Sequence, residues 1–141
     1  MSKDMLNLDS QLCFPLYACS REVIKRYTPF LDDIGLTYTQ YIAMMVFWEQ
    51  KTSSVKSLGA RLFLDSGTLT PLLKKMEAQG LVIRERSAAD QRSVLVTITE
   101  KGEALREKAL LIPEKVGACI NLNAEDASTM YRLLYQILGR I

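Results

Sequence analysis

The 141 residues predict a mainly α-helical, α+β domain with one small β-hairpin. Two observations decide this. A short helix over 65–80, with a marked start and stop, follows another short helix after a tight turn. Two β-branched, alternating runs, 81–86 and 93–98, come directly after it, joined by a polar loop. Helix, turn, helix and then hairpin is the order of a winged helix-turn-helix, placed here over about residues 54–99. The remaining segments, 9–34 and 100–141, carry apolar stripes that one winged domain of this size does not need. N- and C-terminal dimerisation helices explain them. The expectation is one domain over 1–141, with two recognition helices about one DNA turn apart.

The elements follow in order. Asp9 or Ser10 is expected to cap a long first helix with a stripe of Leu12, Leu16, Val23, Tyr27 and Phe30, and Cys19 upon it. It should fade near Asp33, Ile34 and Gly35. Thr37 caps a second helix that is apolar over most of its circumference and therefore central. Thr52, Ser53 and Ser54 read as a break, after which Ser54 starts a short helix. The turn at Phe63, Leu64 and Asp65 leads to the key helix. Asp65 or Ser66 caps it, Leu69, Leu72, Leu73 and Met76 form its apolar face, and Gly80 lies just past its end. Ser66, Thr68, Thr70, Lys74 and Lys75 lie opposite. Hydroxyls and cations near a helix N-terminus suit a DNA major groove; alone, they equally describe any amphipathic surface helix. Thr99 caps a later helix that Pro113 should kink or end, and Asn123 caps the last one.

Bulk composition bounds the function. A 48% hydrophobic and 24% charged chain is globular, with a net charge of only +2. Residues 51–101 hold nine Lys/Arg and five Asp/Glu, an excess of +4, so the remainder carries −2. Positive charge thus gathers around the helix-turn-helix, as a nucleic-acid footprint requires. The chain has no histidine, which excludes His general bases, Ser-His-Asp and Cys-His catalysis and His-rich metal sites. Its three cysteines, 13, 19 and 119, form no C-x-x-C pair. No apolar run spans a bilayer and residues 1–9 show no signal peptide, so a cytoplasmic, non-enzymatic protein without a cofactor or membrane association is expected.

These residues resemble the MarR family of winged-helix repressors, and within it the organic-hydroperoxide-sensing OhrR type. The resemblance rests on Gln11-Leu12-Cys13-Phe14 with Tyr17 and Ser20-Arg21-Glu22, and on Leu36-Thr37-Tyr38-Thr39-Gln40-Tyr41. The long run from Phe63 through Asp65-Ser66-Gly67-Thr68-Leu69-Thr70-Pro71 to Lys74 and the wing Asp90-Gln91-Arg92-Ser93 complete it. It implies a dimeric repressor of a pseudo-palindromic double-stranded operator, released when organic hydroperoxide oxidises Cys13, with a thiol peroxidase gene induced. By position, Tyr27 and Tyr38 would hydrogen-bond the Cys13 sulfur, and Ser66, Thr68 and Thr70 would read the major groove. Arg92 would enter the minor groove, oriented by Asp90. Beside the resemblance, the basic residues Lys74, Lys75, Arg84 and Arg86 of this region are expected as further DNA contacts.

The chemistry of Cys13 fits this role. A helix N-terminus favours the thiolate, and a phenol O–H stabilises it by a charge-assisted hydrogen bond. Cys13 and Tyr27 lie fourteen residues apart, roughly 21 Å along one helix, so any contact between them comes from the second subunit. The resemblance also implies Cys119 as a resolving cysteine, ending in an intersubunit Cys13–Cys119 disulfide; one-cysteine members form mixed disulfides with small thiols instead. Cys19 is about 9 Å from Cys13 along the helix, too far for a disulfide. Two alternatives stand beside the redox repressor. One is a MarR-type regulator answering to a small aromatic ligand. The other is a broader thiol-based oxidative-stress or virulence regulator.

Overall fold

The computed structural model describes residues 4–90 and 92–139. The chain runs through helix α1 (Cys13–Asp32), α2 (Tyr38–Gln50), strand β1 (Thr52–Ser54), α3 (Val55–Leu62), α4 (Ser66–Ala78), β2 (Val82–Arg86), β3 (Val94–Ile98), α5 (Glu100–Ala109), α6 (Ile112–Gly117) and α7 (Ala124–Ile137). The strands form one antiparallel sheet in the order β1-β3-β2. Val82 faces Ile98 and Arg86 faces Val94, so β2 and β3 make the wing hairpin.

Most boundaries are set by local caps. Thr37 and Gln40 form a reciprocal capping box at α2; Ser54, Asp65, Thr99 and Asn123 cap α3, α4, α5 and α7. Gly35 and Gly80 take left-handed φ values of 72° and 77°, ending α1 and α4 as their positions predicted. Pro113 ends the first C-terminal helix: α5 stops at Ala109, and the proline sits in the first turn of α6.

Two expectations need correction. Asp9 and Ser10 do not cap α1; they lie in a short 3-10 turn, Leu8–Ser10, capped by Asn7. The first long helix starts at Cys13 with Leu12 at its N-cap and no side-chain cap. The break at 52–54 is a strand, because Thr52, Ser53 and Ser54 pair with Thr97, Val96 and Leu95 of β3. The sheet therefore has three strands where the hairpin predicted two.

The core centres on α2. Ala43, Met44 and Phe47 are fully buried, and Leu58, Leu69, Leu73, Met76, Val82, Val96 and Val116 close around them. Two close approaches fix the winged unit. A Cβ on Gly59 would sit 2.6 Å from the Leu64 carbonyl oxygen and 3.0 Å from Leu69 Cδ1, so α3 and α4 meet where only glycine fits. Gly102 sits equally tightly against the Leu81 carbonyl, and its own carbonyl accepts the Trp48 indole N–H at 2.9 Å.

The flanking helices behave differently. α7 buries no residue, and Met130, Tyr131, Leu133, Ile137 and Leu138 are all exposed. Leu12, Phe14, Leu16 and Tyr17 at the start of α1 are exposed as well.

Candidate functional site

The helix expected to read DNA is built to hold one face outward. The Asp65 carboxylate accepts the Thr68 backbone N–H at 2.7 Å, and this bond holds Asp65 below the usual carboxylate range. Leu69, Leu72, Leu73 and Met76 turn into the core, which leaves Ser66, Thr68, Thr70 and Lys74 exposed on the other side. Lys75 is exposed too, but it borders a groove of about 480 Å³ with Asp32, Gly35, Leu36, Gln40 and Gln79. It thus leans toward the α1–α2 corner.

The strand arginines divide. Arg84, half-buried on β2, donates through Nε and Nη2 to Glu77 Oε1 of α4 at 3.3 and 3.1 Å. Its backbone N–H reaches Glu77 Oε2 at 3.1 Å. These bonds, the backbone one foremost, hold Glu77 below the ordinary range. Arg84 therefore clamps the wing to α4, a role the sequence concealed because Glu77 looked like a surface charge. Arg86 is exposed at the far end of β2. At the wing tip, Asp90 Oδ1 accepts the Arg92 backbone N–H at 3.0 Å, and Oδ2 accepts the Ser93 hydroxyl at 3.3 Å. Asp90 thus shapes the turn through the backbone and leaves Arg92 exposed. Gln91, quoted in the wing motif, lies outside the described residues.

The residues expected to form the thiol site lie in two places. Cys13 is the first residue of α1, exposed and unpaired in any disulfide. Tyr27 lies fourteen residues on, packed edge-to-face on Tyr38 of α2 with ring centroids 5.0 Å apart. Tyr41 joins them at 5.6 and 6.3 Å, and Trp48 stands 6.4 Å beyond it. Burial raises the pKa of Tyr27, of Tyr38 and of Tyr41, the last to about 12, so all three phenols are protonated donors at neutral pH. In the sequence Tyr41 stands only in the run 36–41, with no part assigned to it at the sulfur. Its signal was its spacing three residues after Tyr38, which puts both rings on one helix face.

Cys119 follows α6 and is exposed; its thiol lies 3.4 Å from the Lys115 carbonyl oxygen. Lys115 Nζ stands 5.6 Å over the Phe30 ring, near the end of α1 opposite Cys13. Phe30 is roughly 25 Å along α1 from Cys13 at 1.5 Å per residue. One subunit therefore brings together neither Cys13 with the tyrosines nor Cys13 with Cys119. Cys19 is also free and exposed. Among the described residues, no helix is long and apolar enough to cross a membrane, and no group of three or more His, Cys, Asp or Glu could hold a metal.

Comparison with known proteins gives this arrangement a lineage. The family described as transcriptional regulator SarA/Rot matches residues 25–109. The organic hydroperoxide resistance transcriptional regulator of Bacillus subtilis (strain 168) is 49% identical over 135 residues, spanning 96% of this chain and 92% of its own length. The chain belongs to the MarR family of winged-helix regulators, OhrR type. Other relatives are similar over most of the chain. SarZ of Staphylococcus aureus (strain MRSA252) is 41% identical over 94% of this chain and 90% of its own. Overoxidised AbfR bound to DNA, from a protein also solved from Staphylococcus epidermidis, matches with a TM-score of 0.77 and 34% identity, covering 95% of each chain. AbfR has also been solved reduced on DNA and with a disulfide formed. For a MarR-family chain, the exposed face of α4 and the exposed wing are thus on a scaffold whose relatives hold DNA.

Proposed function

We propose that this protein is a dimeric, thiol-switched transcriptional repressor. In this reading it binds a pseudo-palindromic operator when reduced and releases it when an organic hydroperoxide oxidises Cys13. The observation that carries it is the separation of Cys13 from the Tyr27–Tyr38–Tyr41 cluster along one continuous helix. The thiol at one end and the protonated phenols at the other complete a site only when two chains associate. Leu12, Phe14 and Leu16 of α1 and the apolar face of α7 supply the surface for that association.

The chemistry then proceeds in two steps. The Cys13 thiolate attacks the distal oxygen of the hydroperoxide. The O–O bond breaks, the alcohol leaves after taking a proton, and a sulfenic acid remains. The Cys119 thiol of the partner subunit then attacks that sulfur, forming the S–S bond and releasing water. The peroxide is consumed once per switch, so the protein is a sensor and not an enzyme, acting on DNA in the cytoplasm. Ser66, Thr68, Thr70 and Lys74 face the major groove, Arg92 the minor groove, and Lys75 and Arg86 flank the phosphates. Arg84 supports the wing.

Operator binding before and after cumene hydroperoxide tests this. Wild type should lose affinity by more than about a hundredfold, the equivalent of about 3 kcal/mol. Cys13→Ser should bind equally before and after. Release by Cys13→Ser would refute the redox reading. On a non-reducing gel the oxidised wild type should run as a covalent dimer, and Cys119→Ser should not.

A second reading has one observation in its favour. A groove of about 420 Å³ is lined by Tyr41, Met45, Trp48, Glu49, Arg106 and Pro113, an aromatic wall with one cation and one carboxylate at its edge. Salicylate releasing the operator from Cys13→Ser would support it.

A further inference from the structure

For a thiol switch to release DNA, a change at the phenols must reach the recognition helix. One buried polar side chain lies between them. Gln40 is 5% exposed and sits two residues after Tyr38 on α2. Its Oε1 accepts the Thr37 backbone N–H at 3.1 Å, closing the capping box. Its Nε2 donates to Gln79 Oε1 at 3.1 Å. Gln79 is the C-cap residue of α4, and its own Nε2 donates to the Gly35 carbonyl oxygen at 3.1 Å. The chain Thr37–Gln40–Gln79–Gly35 thus ties both sides of the α1–α2 corner to the end of α4. The 480 Å³ groove lies along this seam, lined by Leu36, Thr37, Gln40, Ala78 and Gln79, and the amide pair bridges α2 and α4 beside it.

We propose that the Gln40–Gln79 pair is the positioning contact that couples the state of the phenol cluster to the angle of the recognition helix. The proposal rests on the assignment of Cys13 and Tyr38 to the sensor. Tyr38 opens α2, and its ring is locked to Tyr27 of α1. Drawing Tyr38 toward or away from an oxidised sulfur moves the first turn of α2. Gln40 belongs to that turn, and its amide hands the movement to α4 at the residue that caps it. A coupling of this kind requires a contiguous element with two arrangements, and side-chain amides that can re-pair supply one.

Two variants break the same bond from opposite ends. Gln79→Leu removes both amide contacts of α4. Gln40→Glu keeps an oxygen that can accept the Thr37 N–H and replaces the donor to Gln79 with a carboxylate oxygen, which then faces Gln79 Oε1. For each, operator affinity is measured with the protein reduced and after cumene hydroperoxide, using a duplex selected in vitro with reduced wild type. Cys13 oxidation is followed in parallel by mass spectrometry. Both variants should oxidise Cys13 at the wild-type rate and bind reduced operator within a few-fold of wild type. The ratio of reduced to oxidised affinity should fall about fivefold, since coupling and not binding is lost. In the double variant the ratio should fall no further than in either single one. A purely structural contact would lower both affinities together and leave their ratio intact. If wild type keeps its operator once Cys13 is oxidised, the sensor reading itself fails. If wild type releases and a folded variant releases with the same ratio, the coupling is refuted. If the two losses add, it is refuted as well.

Discussion

At the scale of single residues, the two wing arginines separate shape from contact. Arg84 and Arg92 share charge and neighbourhood, yet Arg84 is bound by three hydrogen bonds to Glu77 while Arg92 stands exposed beyond the turn that Asp90 braces. Arg92→Ala should weaken operator binding by on the order of tenfold and flatten its salt dependence by about one unit of slope. Arg84→Ala should leave the salt slope nearly unchanged and lower instead the denaturant midpoint. Fluorescence anisotropy over a salt series and urea unfolding check the pair; equal slopes for Arg92→Ala and wild type would contradict the wing role. This distinction was not legible in the sequence. Glu77 and Arg84 are seven positions apart in different elements, and no local pattern announces that their side chains meet. Cys13, Tyr27 and Tyr38 are grouped only by the resemblance, because an exposed thiol and distant phenols share no spacing.

At the scale of elements, the parts read correctly were those decided by neighbours in sequence. Thr37, Ser54, Asp65, Thr99 and Asn123 each cap through a backbone N–H three residues on, so the residue type and its offset suffice. Gly35 and Gly80 likewise act through their own φ. The strand over 52–54 escaped because Thr-Ser-Ser carries no alternation, and its identity comes from pairing with β3 some forty residues away. The glycine at position 59 belongs to the same class. In sequence it is an undistinguished residue inside a helix; in the fold it marks where α3 and α4 touch. Gly59→Ala places a methyl group 2.6 Å from the Leu64 carbonyl oxygen, which backbone must yield to accommodate. The expected cost is about 2 kcal/mol of stability. It should shift the α3–α4 angle and thereby weaken DNA binding beyond the loss of folded protein. Urea denaturation with operator titration at a temperature where the variant is folded decides it, and wild-type stability would show that the turn is more pliable than drawn.

At the scale of the whole molecule, two kinds of apolar surface coexist. Ala43, Met44 and Phe47 of α2, Leu69, Leu73 and Met76 of α4, and Val82 and Val96 of the sheet are sealed within one chain, whereas α7 buries no residue: Ile137 is 67% exposed, Tyr131 63% and Leu133 45%. A capped helix with acidic residues in its first turn and a stripe of large apolar side chains is stable in water only when that stripe is covered. The start of α1 has the same character, and it holds the thiol. One association of two chains would cover both surfaces, bring Cys13 to the phenols and set two α4 helices at a fixed spacing. A charge placed on α7 therefore tests all three consequences together. Ile137→Asp disturbs no contact of the buried core, so helicity should persist in circular dichroism. Sedimentation should show monomer at micromolar concentration where wild type is a dimer. Operator affinity should drop by at least about a hundredfold, because one half-site then binds without its mate. The Cys13–Cys119 cross-link should disappear with it, since neither sulfur reaches the other within one subunit. A variant that stays dimeric would place the association surface elsewhere, and one that is monomeric yet still cross-links would break the link between dimer geometry and the thiol switch.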